Sequence, residues 1–160
     1  MLHSDVATAV GHIPSGLFIV SVMDPGTKKI DGYLASWVQQ VSFNPLLISL
    51  AIKPGRPAYD LIKSGKVFSV NVVGEHDKTY LRHFWKGYDP NSNPFSELNH
   101  TIAPHGGVVL LQAKSAMECQ LVDSLKPGDH EVVIAKVISS AVMEEGTRPM
   151  VHVRKTGMDY

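Results

Sequence analysis

The sequence predicts a mainly β fold with short helices, an antiparallel β-barrel built as a single domain over residues 1–160. Two observations carry that expectation. Short β-prone runs recur at close spacing with only two or three helical segments among them, and closing such strands into a barrel removes the edges an open sheet would expose. The length also suffices for one sizeable core, and neither an internal repeat nor a low-complexity linker divides the chain.

The elements follow in order. Residues 16–22 (GLFIVSV) are an apolar run ending in the turn signal Asp24-Pro25-Gly26, and a second strand over 30–36 makes the pair a hairpin. The stretch GYLASWVQQVSFNP (32–45) then starts a strand at Val38, Gln39, Gln40 and Val41, expected in the core although it is rich in hydrogen-bonding groups. Residues 45–52 (PLLISLAI) are continuously apolar. A short helix over 58–64 is closed by Gly65, a common residue at helix ends. Residues 66–73 (KVFSVNVV) alternate around β-branched side chains, and 77–86 fit another helix. A loose stretch rich in Gly, Pro, Asn and Ser covers 87–107. Two strands over 115–123 and 130–141 are joined by the turn Lys126-Pro127-Gly128-Asp129.

Composition excludes several classes. Fifteen Lys and Arg balance fifteen Asp and Glu, which disfavours a nucleic-acid partner. No run is long and apolar enough to span a membrane, and the N-terminus lacks the pattern of a signal peptide, so a cytoplasmic protein is expected. The lone Cys119 has no partner for a disulfide, reads best as a small buried hydrophobe, and fits a reducing compartment. His3, His12, His76, His83, His100 and His105 form no HxxxH or HxH pair, so no dedicated metal site is expected. No G-x-G-x-x-G follows a strand, so a Rossmann fold is not supported. Asn71 is a polar residue inside an apolar strand, and burying its amide without partners costs about 1–3 kcal/mol, so it must be hydrogen-bonded to backbone or to a ligand.

Four segments together carry a family resemblance: residues 32–45, LIKSGKVFSVNVVGE (61–75), PGDHEVVIAKV (127–137) and VHVRKTGMDY (151–160). In this order and spacing they resemble the flavin reductase-like family of FMN-binding split-barrel proteins. The polar strand, the loop HFWKGYDPNSNPF and the ending HVRKTGMDY are most similar to the flavin reductase module at the C-terminus of cyanobacterial flavodiiron proteins.

The resemblance implies an antiparallel split β-barrel and the following site. Ser36, Trp37, Val38, Gln39, Gln40 and Ser42 lie along the flavin ring and its ribityl tail; Gln39 and Gln40 alternatively read as outward residues of an exposed strand. Lys53 and Arg56 meet the phosphate, and the short helix after them aims its N-terminus at the same place. The family usually carries Ser or Thr close behind this basic residue, where this chain has Pro57 and Ala58. Asn71 contacts the flavin or braces the barrel. His130 lies on the nicotinamide side or faces water in its turn, while Asp129 fixes that turn. His152 and Arg154 share a strand face by the flavin or nucleotide, or belong to a solvated basic tail with Lys155. Phe84, Trp85 and Tyr88 read as core residues or a loop anchor; if the loop 84–95 folds over the ring, one of them stacks on it and gates the nicotinamide.

The implied activity is an NAD(P)H-dependent flavin reductase using FMN, or FAD, as cofactor and NADH or NADPH as co-substrate. The flavin carries the chemistry, so no catalytic side chain is assigned. Electrons then pass to free flavin, oxygen or a redox partner protein or domain, and the implied assembly is a homodimer. Two alternatives stay open: an FMN-binding electron-transfer module with no nicotinamide site, and a non-catalytic ligand-binding barrel.

Overall fold

The computed structural model describes residues 2–159, with side chains from Ser4 onward; the side chain of His3 lies outside the described residues. It opens with a helix not anticipated above, α1 (Leu2–Gly11), and the short strand β1 (Ser15–Gly16). β2 (Phe18–Met23) and β3 (Ile30–Ala35) form the expected hairpin, whose turn is held by the Asp24 carboxylate accepting from the Gly26 amide at 2.9 Å and the Thr27 hydroxyl at 2.9 Å. Then come β4 (Val38–Ser42), β5 (Leu47–Ile52), α2 (Pro57–Lys63), β6 (Phe68–Val72) and α3 (Thr79–Phe84). The chain ends with β7 (His100–Ile102), β8 (Val108–Leu110), β9 (Ser115–Leu125), β10 (Glu131–Val142) and β11 (Val151–His152).

Seven strands make one antiparallel sheet in the order β3-β2-β6-β9-β10-β5-β4. Its two edges, β3 and β4, are consecutive in the chain and joined only by Ser36 and Trp37. The sheet must therefore curl until its edges meet, which makes a barrel split along one seam.

The alternation of β2 explains the two cores. Val20 and Val22 face the barrel interior with Leu50, Ile52, Phe68, Val70 and Val133, and Ala58 and Ile62 of α2 close one end. Ile19, on the opposite face, packs with Tyr80, Phe84, Phe95, Val108 and Leu110 beneath α3 and the β7–β8 hairpin. Its first strand, β7, lies inside the stretch expected to be loose, and β8 begins just after it. Cys119 is buried in the first core, and burial raises its thiol to about 12.

One expectation is corrected, and for Asn71 the structure shows the partners of one of its two readings. The stretch expected as a core strand is the exposed edge strand β4, with Val41 half exposed and Phe43 beyond it 90% exposed, because the last strand of a sheet has no neighbour to cover it. Asn71 is fully buried between the two cores, away from any cleft. Its amide donates to the Ile19 carbonyl at 3.0 Å and the Ser21 hydroxyl at 2.9 Å, and its carbonyl accepts from the Leu110 amide at 2.9 Å. It braces β2 to the β7–β8 hairpin, as the second of its two readings expected.

Candidate functional site

A cleft of about 240 Å³ opens at the seam where β3 passes into β4. β3 contributes Gly32, Tyr33, Leu34 and Ala35, and the two-residue link contributes Ser36 and Trp37. The Trp37 carbonyl accepts from the Ala51 amide at 3.0 Å, which pins the link to β5. Gly32 is required here: a Cβ would lie 2.6 Å from the Val20 carbonyl and 2.7 Å from the Phe95 ring. A glycine inside a strand pattern is the signal that could have drawn attention to this position.

One wall is basic. Lys53 and Arg56 project from the connection between β5 and α2, and the Arg56 guanidinium lies 5.1 Å from the centre of the Tyr33 ring. The α2 amino end, expected to point at a ligand, is instead used by the protein itself: the Asp31 carboxylate accepts from the Ala58 amide at 2.7 Å. Burial pushes the Asp31 carboxyl above its ordinary value, opposed by that hydrogen bond and by the nearby Arg56 charge. Beneath α2, the buried Glu131 carboxylate accepts from Lys63 and from the Tyr59 hydroxyl at 2.5 Å. Lys63, then Ser124 and Tyr59, hold the Glu131 carboxyl down to about 2.

The other wall is aromatic and imidazole-rich. His130 lies edge-on to Trp37, with ring centres 5.0 Å apart, and its Nδ1 is 3.0 Å from Asp129 Oδ1. That hydrogen bond keeps Asp129 below its ordinary value. His152 meets Trp85 edge-on at 6.1 Å, and the Arg154 guanidinium sits 5.2 Å from the centre of a Trp37 ring.

The structure thus brings Ser36, Trp37, Lys53, Arg56, His130 and His152 together, with Arg154 stacked on Trp37 at the rim. Val38 and Gln39 line an adjoining groove of about 450 Å³, which shares Ser36, Trp37 and Ala51 with the cleft. Gln40 and Ser42 lie in neither: the Gln40 side chain donates to the Ser42 carbonyl at 3.3 Å, in the exposed half of β4. Of the three loop aromatics, Phe84 and Trp85 line the cleft and Tyr88 does not. Among the described residues no group of three or more His, Cys, Asp or Glu is placed to hold a metal ion, and no helix is long and apolar enough to cross a membrane.

Comparison with known proteins decides the family. The model of the flavin reductase like domain matches residues 10–158. The chain belongs to the flavin reductase-like family. Diflavin flavoprotein A 1 of Synechocystis sp. is 31% identical over 160 residues, 99% of this chain and 28% of that protein. A putative diflavin flavoprotein A 4 from Synechocystis sp. is 34% identical over 154 residues, 95% of this chain and 25% of the relative. The chain therefore spans about a quarter of the length of these flavin reductase-like relatives. Among solved structures, the Streptomyces globisporus NADH:FAD oxidoreductase superposes with a TM-score of 0.81 at 20% identity, covering 91% of this chain and 85% of that one. The flavin reductase HpaC complexed with NADP+ gives 0.77 at 21% identity, covering 92% of this chain and 90% of its own. The flavin reductase-like split barrel expected from the sequence is the fold of this chain, and the likeness to the flavodiiron module is borne out.

Proposed function

We propose that the cleft binds FMN and that the protein is an NAD(P)H-dependent flavin reductase. The observation that carries this reading is the pairing of a basic wall, Lys53 and Arg56, with a seam of backbone groups, Ser36 and Trp37, in one recess. These residues fit the chemistry of FMN. A dianionic phosphate is recognised by cationic donors, and a flat ring edged with carbonyl and nitrogen atoms is recognised by backbone groups and aromatic faces. FAD fits the same wall through its pyrophosphate.

Flavin, when bound, would supply the redox chemistry between NADH or NADPH and free flavin, oxygen or a partner protein. The residues of this chain bind and orient. Lys53 and Arg56 neutralise the phosphate. The Ser36 hydroxyl and the strand backbone hold the polar edge of the ring. Trp37, Trp85 and His152 would frame the approach of a nicotinamide, beside His130 with its Nδ1 held by Asp129.

The test is to load the purified chain with FMN, remove unbound flavin, and follow NADH and NADPH oxidation. Retained yellow flavin with accelerated oxidation is expected; a chain that keeps no flavin and does not accelerate oxidation with excess FMN refutes the reading. A second reading, an FMN electron-transfer module without its own nicotinamide site, draws support from the relatives being far longer than this chain. Retained flavin with slow oxidation of both nicotinamides would select it.

A homodimer is part of the proposal. β5 points Ile48, Leu50 and Ile52 inward and Leu47, Ser49 and Ala51 outward, with Ser49 and Ala51 in the groove lined by Ile13, Val132 and Val151. A second copy covers this face, and Val151→Asp is expected to turn a dimer into a monomer by light scattering.

A further inference from the structure

We propose that Asp31 is a positioning residue for phosphate recognition, acting through the end of α2 to hold Arg56 on the cleft wall. This rests on the reading that Arg56 meets the flavin phosphate.

The argument begins with what α2 lacks. Arg56 is its N-cap residue, in extended conformation (φ −135°, ψ 155°), and makes no capping hydrogen bond of its own. An arginine side chain only donates, so it cannot satisfy the free amides of a helix start. Pro57, next in the chain, has no N–H, which leaves Ala58 as the first amide in need of an acceptor. Asp31, 27 residues earlier on β3, supplies it from across the fold at 2.7 Å. The same strand places Tyr33 two residues on, and its ring lies under the Arg56 guanidinium at 5.1 Å. Arg56 is therefore fixed from two sides by one strand: its backbone through the Asp31–Ala58 hydrogen bond, and its side chain over Tyr33. The Pro57-Ala58 pair carries no side-chain acceptor, which is why an acceptor from elsewhere is necessary.

The experiment compares FMN with riboflavin, which has the same ring and ribityl tail but no phosphate, by quenching of flavin fluorescence on the full chain. Asp31→Ala is expected to weaken FMN binding about tenfold and leave riboflavin within about twofold, the scale set by loss of a helix cap. Asp31→Asn keeps an acceptor for Ala58 and is expected to restore FMN affinity to within about threefold of wild type. Equal losses for the two flavins, no loss for FMN, or no rescue by Asn would each overturn the proposal. Should Asp31→Ala not fold, Asp31→Glu displaces the acceptor by one methylene and carries the same comparison. Arg56→Ala separates the two levels. If it leaves the preference for FMN over riboflavin intact, the phosphate reading itself fails. If it abolishes that preference while the Asp31 variants do not change it, only the role of Asp31 fails.

Discussion

The two walls of the cleft are built by different means. The basic wall stands on α2, a helix tied down by two buried or half-buried carboxylates, Asp31 at its amino end and Glu131 beneath its body. The opposite wall is assembled from edge-on ring contacts, Trp37 with His130 and Trp85 with His152, on a helix end, a turn and the two-residue strand β11. Charge-assisted hydrogen bonds fix direction, whereas edge-on aromatic contacts are weaker and tolerate sliding. The difference gives the proposed reading its form: the wall fixed by charged hydrogen bonds is assigned to the flavin, and the wall of edge-on rings to the nicotinamide.

The strongest way to break this contrast is to remove the charge from the rigid wall. Arg56→Ala is expected to weaken FMN binding about a hundredfold, the scale of losing charge-assisted hydrogen bonds to a phosphate, with riboflavin little changed. Fluorescence titration measures both.

Loosening the support beneath that wall is expected to act on stability. A carboxyl held at about 2 in the folded protein, against an ordinary 4.5, contributes stability that is full above its ordinary value and lost as the pH falls through its lowered one. Glu131→Gln is therefore expected to lower Tm at neutral pH by roughly 5 °C. The gap to wild type closes between about pH 5 and pH 2, and melts across that range trace it.

On the compliant wall, Trp85→Ala is expected to raise KM for the nicotinamide about fivefold while leaving FMN affinity and Tm near wild type, because Trp85 is 57% exposed and makes one ring contact. A loss of retained flavin in this variant would show that the two walls are not specialised. The smallest effect is expected off both walls: Gln40→Ala, in the exposed half of β4, leaves FMN affinity within about twofold in the same titration.

How far each wall was legible in the sequence follows from the range of its contacts. Lys53 and Arg56 were readable because strand, turn and short helix lie within one local pattern ending at Gly65. The supports of that wall were not, since Tyr59 and Glu131 are 72 residues apart and Asp31 and Ala58 are 27 apart, and no local periodicity records such pairs. Asn71 was recognisable as a buried polar group in need of partners, but the sequence alone could not say whether they were protein or ligand; β8, far along the chain, supplies part of them. β4 misled because a strand's alternation says which residues share a face, not whether another strand lies beside it. The barrel itself was legible from the recurrence of short strands; that its seam would fall at Ser36 and Trp37 was not.

That seam also sets a size limit. From Ala35 to Val38 the chain has three links, so the sheet's two edges stand at most about 11 Å apart there, however the rest of the barrel breathes. That covalent link holds one side of the cleft, while Lys53, Arg56, Phe84, Trp85 and His152 complete its lining. Lengthening the link by even one residue would relax how closely β3 and β4 are held at this point.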